Sequence, residues 1–310
     1  MKKFTLIAFI FLTMFSCKEQ KNDNVVALNP PPTISVEDFF KNSEKQAFRL
    51  SPDGTYISYM APYENRMNIH VRKFDNDSVT RVTNVTDRDL SGYFWANNDR
   101  LVYVRDTGGD ENFHLFAVNK DGTNEKDLTP FDGVRAQIID DLEDNEEEMI
   151  IGLNKRIPQV FDPYRINIQT GEMEILHENP GNITGWGTDH DGKIRLAYVT
   201  NGVDNTIMYR ENENLPFEEV ITTDFKETLA PQFFDFDNGD IIYAVSNLGR
   251  DKMAVVKYDL KEKKELEEVF INNEVDVDGI SYSNKRKIPT VISYTTAQMN
   301  RKFLDQETET

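Results

Sequence analysis

The feature that most limits how this chain can fold is a recurrence. A polar turn followed by a short β-prone run appears six times at a nearly constant interval. The clearest copy is Ser51-Pro52-Asp53-Gly54, then Tyr56-Ile57-Ser58-Tyr59. Proline presets φ, the Asp side chain bonds back to nearby backbone, and glycine tolerates positive φ, so these four residues predict a tight turn. The Tyr and Ile that follow favour a strand. Weaker copies lead into Leu101-Val102-Tyr103-Val104, Met149-Ile150-Ile151, Ile194-Arg195-Leu196, Ile241-Ile242-Tyr243 and Thr290-Val291-Ile292. With Tyr56, Leu101, Met149, Ile194, Ile241 and Thr290 as markers, the spacings are 45, 48, 45, 47 and 49.

Most copies are followed by a second strand-like run and often a third. Asn68–Arg72 leads to Thr80–Thr83, Phe113–Val118 to Glu125–Thr129, Pro163–Ile168 to Met173–Leu176, and Met253–Tyr258 to Leu266–Phe270. Asp121-Gly122 and Thr170-Gly171 mark turns between them. Short strands joined by such turns predict antiparallel sheet. A period in the forties, with three or four strands per unit, is that of a β-propeller blade. One blade cannot bury both its faces, whereas a series of blades can. The predicted fold is therefore all-β, a propeller with about six recognisable blades. A β-sandwich is the alternative, but it does not require a regular interval. The charged run Lys261–Glu268 reads equally as a helix or a hairpin return.

The N-terminus reads differently. Met1-Lys2-Lys3 is basic, Phe4–Phe15 is almost wholly apolar, and Ser16-Cys17 precedes a polar stretch. This is the layout of an export signal. Its apolar run is short for a membrane span. A cysteine in this place resembles a bacterial lipoprotein signal, which implies lipidation of Cys17, although Met14-Phe15 is bulkier than usual there. The expected organisation is a signal over 1–16, a tether with a short helix over 17–44, and the propeller over 45–310. Asn29-Pro30-Pro31-Pro32-Thr33 favours an extended tether, and Ser35 is placed to cap a helix opening at Val36. The expected location is exported, in the periplasm or on the outer membrane, with the lipid as the sole membrane contact. Charge excludes another class: 54 acidic against 35 basic residues give −19, the wrong sign for nucleic acid.

The second and third repeats carry more than periodicity. Asp87-Arg88-Asp89-Leu90-Ser91-Gly92-Tyr93-Phe94-Trp95, Asp106-Thr107-Gly108-Gly109-Asp110-Glu111-Asn112-Phe113-His114, Asn154-Lys155-Arg156 and Pro158-Gln159-Val160-Phe161-Asp162 together resemble the N-terminal propeller of S9 serine peptidases. That family includes the prolyl oligopeptidase and acylaminoacyl-peptidase group. The resemblance covers roughly residues 45–305. It implies a ring of seven or eight blades that gates the access of short peptides to an α/β-hydrolase domain bearing a Ser, Asp, His triad. This sequence ends at Thr310 within its sixth repeat, so the expectation is an incomplete propeller without that domain. A stand-alone periplasmic binding scaffold is the rival reading.

No residue here is expected to be catalytic. A nucleophile elbow needs Gly-x-Ser-x-Gly on a strand-to-helix turn. The nearest approach, Gly279-Ile280-Ser281-Tyr282-Ser283, reads as a blade turn. His70 and His114 fall within strands, His190 in a turn, and His177-Glu178-Asn179-Pro180 lacks the second histidine of a zinc motif. Asp235, Asp237, Asn238 and Asp240 are oxygen-rich but miss the spacing of a calcium loop, and read as solvated turns. No cofactor or metal is expected. The substrate-binding candidates are Asp110 and Glu111, after Gly108-Gly109. The resemblance implies that rim carboxylates pair with a peptide's free amino terminus. The simpler role is capping of backbone N–H groups in their own turn, with Arg105 as an internal partner.

Overall fold

The computed structural model describes residues 31–310, so the signal-like segment and Cys17 lie outside the described residues. The chain divides into a unit ending at Lys41 and a second unit, Asn42–Thr310. In the first, α1 spans Val36–Phe40, and Ser35 caps it by accepting the Asp38 N–H. No helix among the described residues is long and apolar enough to cross a membrane.

The second unit is built from six antiparallel sheets, each using consecutive strands in sequence order. Blade 1 holds β1 (Gln46–Leu50), β2 (Tyr56–Tyr63), β3 (Arg66–Lys73) and β4 (Val79–Arg81). Blade 2 holds β5 (Gly92–Trp95), β6 (Arg100–Arg105), β7 (His114–Asn119) and β8 (Lys126–Asp127). Blade 3 holds β9 (Ala136–Asp140), β10 (Glu148–Ile157), β11 (Val160–Asn167) and β12 (Met173–Ile175). Blade 4 holds β13 (Ile183–Thr188), β14 (Ile194–Thr200), β15 (Asn205–Tyr209) and β16 (Glu218–Thr223). Blade 5 holds β17 (Leu229–Phe234), β18 (Ile241–Ser246), β19 (Ala254–Asp259) and β20 (Lys264–Ile271). Blade 6 has three strands, β21 (Val277–Ser283), β22 (Ile288–Thr295) and β23 (Met299–Phe303), followed by the short α2 (Gln306–Glu309). The charged run at Lys261 is therefore a hairpin return, with Val255 paired to Phe270.

The core explains why the repeats must stack. Five apolar clusters are present, and each straddles two successive blades. Ile69 and Leu101 share the cluster between blades 1 and 2, Leu115 and Ile151 that between blades 2 and 3. Leu142 and Ile194 join blades 3 and 4, Ile207 and Ile242 join 4 and 5, and Val255 and Ile292 join 5 and 6. The blade 3–4 cluster has only three buried members, so polar contacts carry more of that interface. The β1 strand is exposed along its whole length, Phe48 and Leu50 included.

The recurring turns form as their composition predicts. In the first, Asp53 accepts the Thr55 N–H at 2.9 Å, Ser51 Oγ accepts the Tyr56 N–H at 2.9 Å, and Gly54 has φ +70°. These turns also touch one another. The Asp53 N–H donates to Asn98 of blade 2, and the Asn97 amide donates to the Glu146 carbonyl of blade 3. Thr188 donates to Asp140, and His190 Nε2 lies 2.7 Å from the Phe234 carbonyl. The sequence period thus becomes a continuous row of bonded turns along one face of the sheets.

Candidate functional site

The first strands of blades 3, 4, 5 and 6 converge on a single cavity of about 1080 Å³. Their C-terminal ends and the following turns supply its walls, which identifies the first strand of each blade as the innermost. Asp140, Thr188, Phe234 and Tyr282 stand at or next to those strand ends. The Asp140 carboxylate ends the inner strand of blade 3 and accepts from Thr188 of the next blade.

Charge in the cavity is unequal. Eight carboxylates line it: Asp140, Asp141, Glu143 and Asp144 of blade 3, Asp189 and Asp191 of blade 4, and Asp235 and Asp237 of blade 5. Three cations face them, Arg165, Arg195 and Lys287. Arg195 pairs with Asp189 at 2.9 Å, and Lys287 with Asp144 at 3.1 Å. Arg165 is taken up by Glu148 and the Gly192 carbonyl. Burial opposes ionisation of Asp235, but Lys257 at 2.9 Å and two backbone N–H groups hold its pKa below the ordinary value. Among the described residues, Asp140, Asp141, Glu143, Asp191 and Asp237 have no ion-pair partner within 4.0 Å. Desolvation, then the neighbouring Asp140 charge, raises the pKa of Asp141.

One wall is aromatic. The His190 ring stacks on Phe236 with centroids 3.9 Å apart, and Tyr282 packs edge-on to both at 5.5 and 5.6 Å. A carbonyl oxygen can only accept, so the bond to Phe234 places the imidazole proton on Nε2. Burial, followed by the surrounding carboxylates, raises the Tyr282 pKa, so its hydroxyl stays protonated at neutral pH. Carboxylates beside electron-rich ring faces suit an organic cation. No group of His, Cys, Asp or Glu among the described residues is arranged to hold a metal ion.

Asp110 and Glu111 lie elsewhere. They occupy the β6–β7 loop, at the opposite end of the strands from the turns that wall the cavity. Asp110 accepts the Asn112 N–H at 3.0 Å and the Thr107 N–H at 3.4 Å, and the Asn112 bond leads in lowering its pKa. Glu111 takes a left-handed φ of +59°, and its N–H donates to Asp106. Both carboxylates are in an exposed loop that Asp110 itself braces. Arg105 does not partner them: its guanidinium lies over Phe116 at 4.8 Å, and Arg88 is the residue paired with Asp106. His70 stacks on Tyr59 in β3, and His114 pairs with Asp127 in β7. His190 sits in a turn as predicted, but its place in the cavity wall was not legible from one repeat alone.

No family model matches the chain. Sequence relatives do. The chain is 32% identical over 241 residues to dipeptidyl aminopeptidase BIII of Pseudoxanthomonas mexicana, covering 74% of this chain and 34% of that protein. It is 26% identical over 269 residues to dipeptidyl peptidase family member 6 of Caenorhabditis elegans, covering 80% and 36%. This is an S9-peptidase propeller. The fold agrees: a prolyl endopeptidase structure superposes with a TM-score of 0.56 at 12% identity, over 82% of this chain and 39% of that one. Dipeptidyl peptidase 4 of Porphyromonas gingivalis gives 0.52 at 14% identity, over 83% and 42%. This S9 propeller spans about a third of the length of the curated relatives it matches.

Proposed function

We propose that this chain is the propeller portion of an exported S9-type serine peptidase, and that it controls which peptides reach a hydrolase domain. The cavity carries this reading. It lies where the innermost strands of four blades meet, and at about 1080 Å³ it is large enough for a short peptide but not a folded protein. The kinship to dipeptidyl peptidases supports a peptide as the occupant. In this reading the chain supplies no triad residue and acts by admission. Cys17 would carry the lipid that holds the protein at a bacterial envelope membrane.

Photo-crosslinking tests the reading. Short peptides bearing a photoreactive phenylalanine are irradiated with the purified chain, and labelled residues are mapped by mass spectrometry. Labels are expected at Phe233, Phe236 and Tyr282, competed by unlabelled short peptide and not by a folded protein. Labels confined to the outer strands β4, β8, β12 or β16 would overturn it and favour a surface scaffold.

A further inference from the structure

A second, smaller hollow lies on the face of blade 2 that packs against blade 1. It measures about 250 Å³ and is lined by Tyr103, Arg105, Phe116, Glu125, Lys126 and Asp127, none of which lines the large cavity. Antiparallel pairing gathers these residues. Tyr103, Phe116 and Asp127 are cross-strand neighbours on β6, β7 and β8. Arg105 follows Tyr103 by two residues and so shares its face. The Tyr103 and Phe116 rings stack with centroids 5.2 Å apart, and the Arg105 guanidinium lies 4.8 Å from the Phe116 centroid. Tyr103 is buried in the apolar cluster shared with blade 1, which fixes this floor.

Arg105 is left without a partner. Among the described residues its side chain makes no hydrogen bond and no ion pair, and its Nε–H is buried with no acceptor. Such a donor is destabilising and uncommon. The neighbours explain it, because each nearby carboxylate is engaged by another donor. Asp106 pairs with Arg88 at 3.1 Å. Asp127 accepts the Thr129 N–H at 2.8 Å and pairs with His114 at 3.0 Å. Glu125 Oε1 accepts from the Tyr103 hydroxyl. Lys126 is turned to the Thr170 carbonyl of blade 3. Two charged groups remain free among the described residues: the Arg105 guanidinium, and Glu125 through its second oxygen, Oε2.

The lining carries two cations and two carboxylates, so a simple anion or a simple cation gains little from the hollow as a whole. A ligand bearing both charges meets a free partner for each. The volume lies below the range usual for drug-sized ligands, which suits one amino acid better than a peptide. We propose that this hollow binds a free α-amino acid, its carboxylate on Arg105, its ammonium on Glu125 and an apolar side chain against the half-buried Phe116. A guanidinium matches a carboxylate with two parallel N–H bonds. The bound amino acid would tie β6 to the residue that opens β8, and so stabilise blade 2 by mass action. This site is independent of the peptide-admission reading, and neither needs the other.

The test is calorimetric titration of the full chain with L-leucine, L-leucinamide, which lacks the carboxylate, and N-acetyl-L-leucine, which lacks the ammonium. L-leucine is expected to bind at least about tenfold more tightly than either, since each has lost one charge-assisted bond. Arg105→Met keeps an aliphatic cover on Phe116, and is expected to bind L-leucine and L-leucinamide alike. Glu125→Gln keeps an acceptor for Tyr103, and is expected to bind L-leucine and N-acetyl-L-leucine alike. Because Arg105 has no polar partner to lose, Arg105→Met is expected to keep the thermal midpoint of the unmodified chain. Equal affinity for all three compounds in the unmodified chain overturns the proposal, as does the absence of both heat and thermal shift with L-leucine up to about 10 mM. Binding of L-leucine that is unchanged in both variants places the amino acid elsewhere and also overturns it. If a variant fails to fold, the three compounds on the unmodified chain still decide.

Discussion

Gly192 offers the sharpest test of how the blades are held together. It lies in the turn between β13 and β14 with φ +67°, and a Cβ built there collides with Leu142 Cδ2. Leu142 belongs to the cluster that joins blades 3 and 4, with Ile139, Leu176, Trp186 and Phe217 packed against its three buried members, so moving it disturbs that packing. Gly192→Ala therefore carries two costs. A non-glycine residue in the left-handed region costs about 1–2 kcal/mol. Forcing Leu142 aside is overpacking, about 1–3 kcal/mol. The stiffer unfolded chain returns about 0.4–1 kcal/mol, leaving a net loss of about 1–4.6 kcal/mol. Gly54 is the control, because its φ is +70° and nothing lies within 4 Å of the added Cβ. Gly54→Ala shares the backbone cost and the chain-entropy return, so its net loss is about 0–1.6 kcal/mol, lower than that of Gly192→Ala by the overpacking cost. Urea unfolding followed by circular dichroism measures both. The double variant Gly192→Ala with Leu142→Ala should be less destabilised than the sum of its parts by at least about 1 kcal/mol. Equal losses for Gly192→Ala and Gly54→Ala, together with additivity in the double variant, would refute the claim that Leu142 packs against this turn.

Other consequences are local. Ser58 is fully buried, and its Oγ accepts from Tyr93 at 3.0 Å and Trp95 Nε1 at 2.8 Å; Ser58→Ala should cost about 1–3 kcal/mol and shift the Trp95 emission, and an unchanged thermal midpoint would count against it. Asp162, also fully buried, accepts from Arg156 at 2.8 and 2.9 Å and from the Asn179 N–H at 2.7 Å. Asp162→Asn turns one acceptor toward these donors as a donor, so a loss of about 2–4 kcal/mol in urea unfolding is expected; a loss under about 0.5 kcal/mol would sink that account. Asp305 is held at a pKa of about 2, first by its bond to Arg286 and then by Thr308. A lowered folded-state pKa gives a contribution that is fully present above the unfolded value near 4 and is lost as pH falls through about 2. Protection of the Thr308 amide from hydrogen exchange should follow that window, and a midpoint near 4 would contradict the pairing.

Periodicity made the blade skeleton legible because the second and third strands of most blades are apolar runs bounded by strong turn residues. The innermost strands were not singled out, and their sequences show why. The β13 strand contains Gly185 and Gly187, β17 contains Pro231, and all five residues of β1 are exposed. None presents a clean alternation, because an inner strand meets a neighbouring blade on part of its surface and water on the rest. The cavity had a signal that single turns do not reveal. Asp140, Asp189, Asp235 and Tyr282 are spaced 49, 46 and 47 residues apart, one blade period each. Residues in phase with the repeat occupy the same place in successive blades, so they gather at one end of the fold. In blades 1 and 2 the matching strand ends are Leu50 and Trp95, and neither lines the cavity.

That contrast accounts for the cavity itself. At Leu50 and Trp95 the repeat places uncharged side chains at strand ends, and Leu50 stays exposed. Where it places Asp140, Asp189 and Asp235, closing would strip water from several carboxylates at once, and a dehydrated charge is stable only when paired. The cations present satisfy some of them, through Arg195, Lys257 and Lys287. Asp140, Asp141, Glu143, Asp191 and Asp237 stay without a cation among the described residues, so drawing the four turns together would dehydrate unpaired charge. Unpaired carboxylates that disfavour such a closing also repel one another, and any cation placed among them lowers that repulsion.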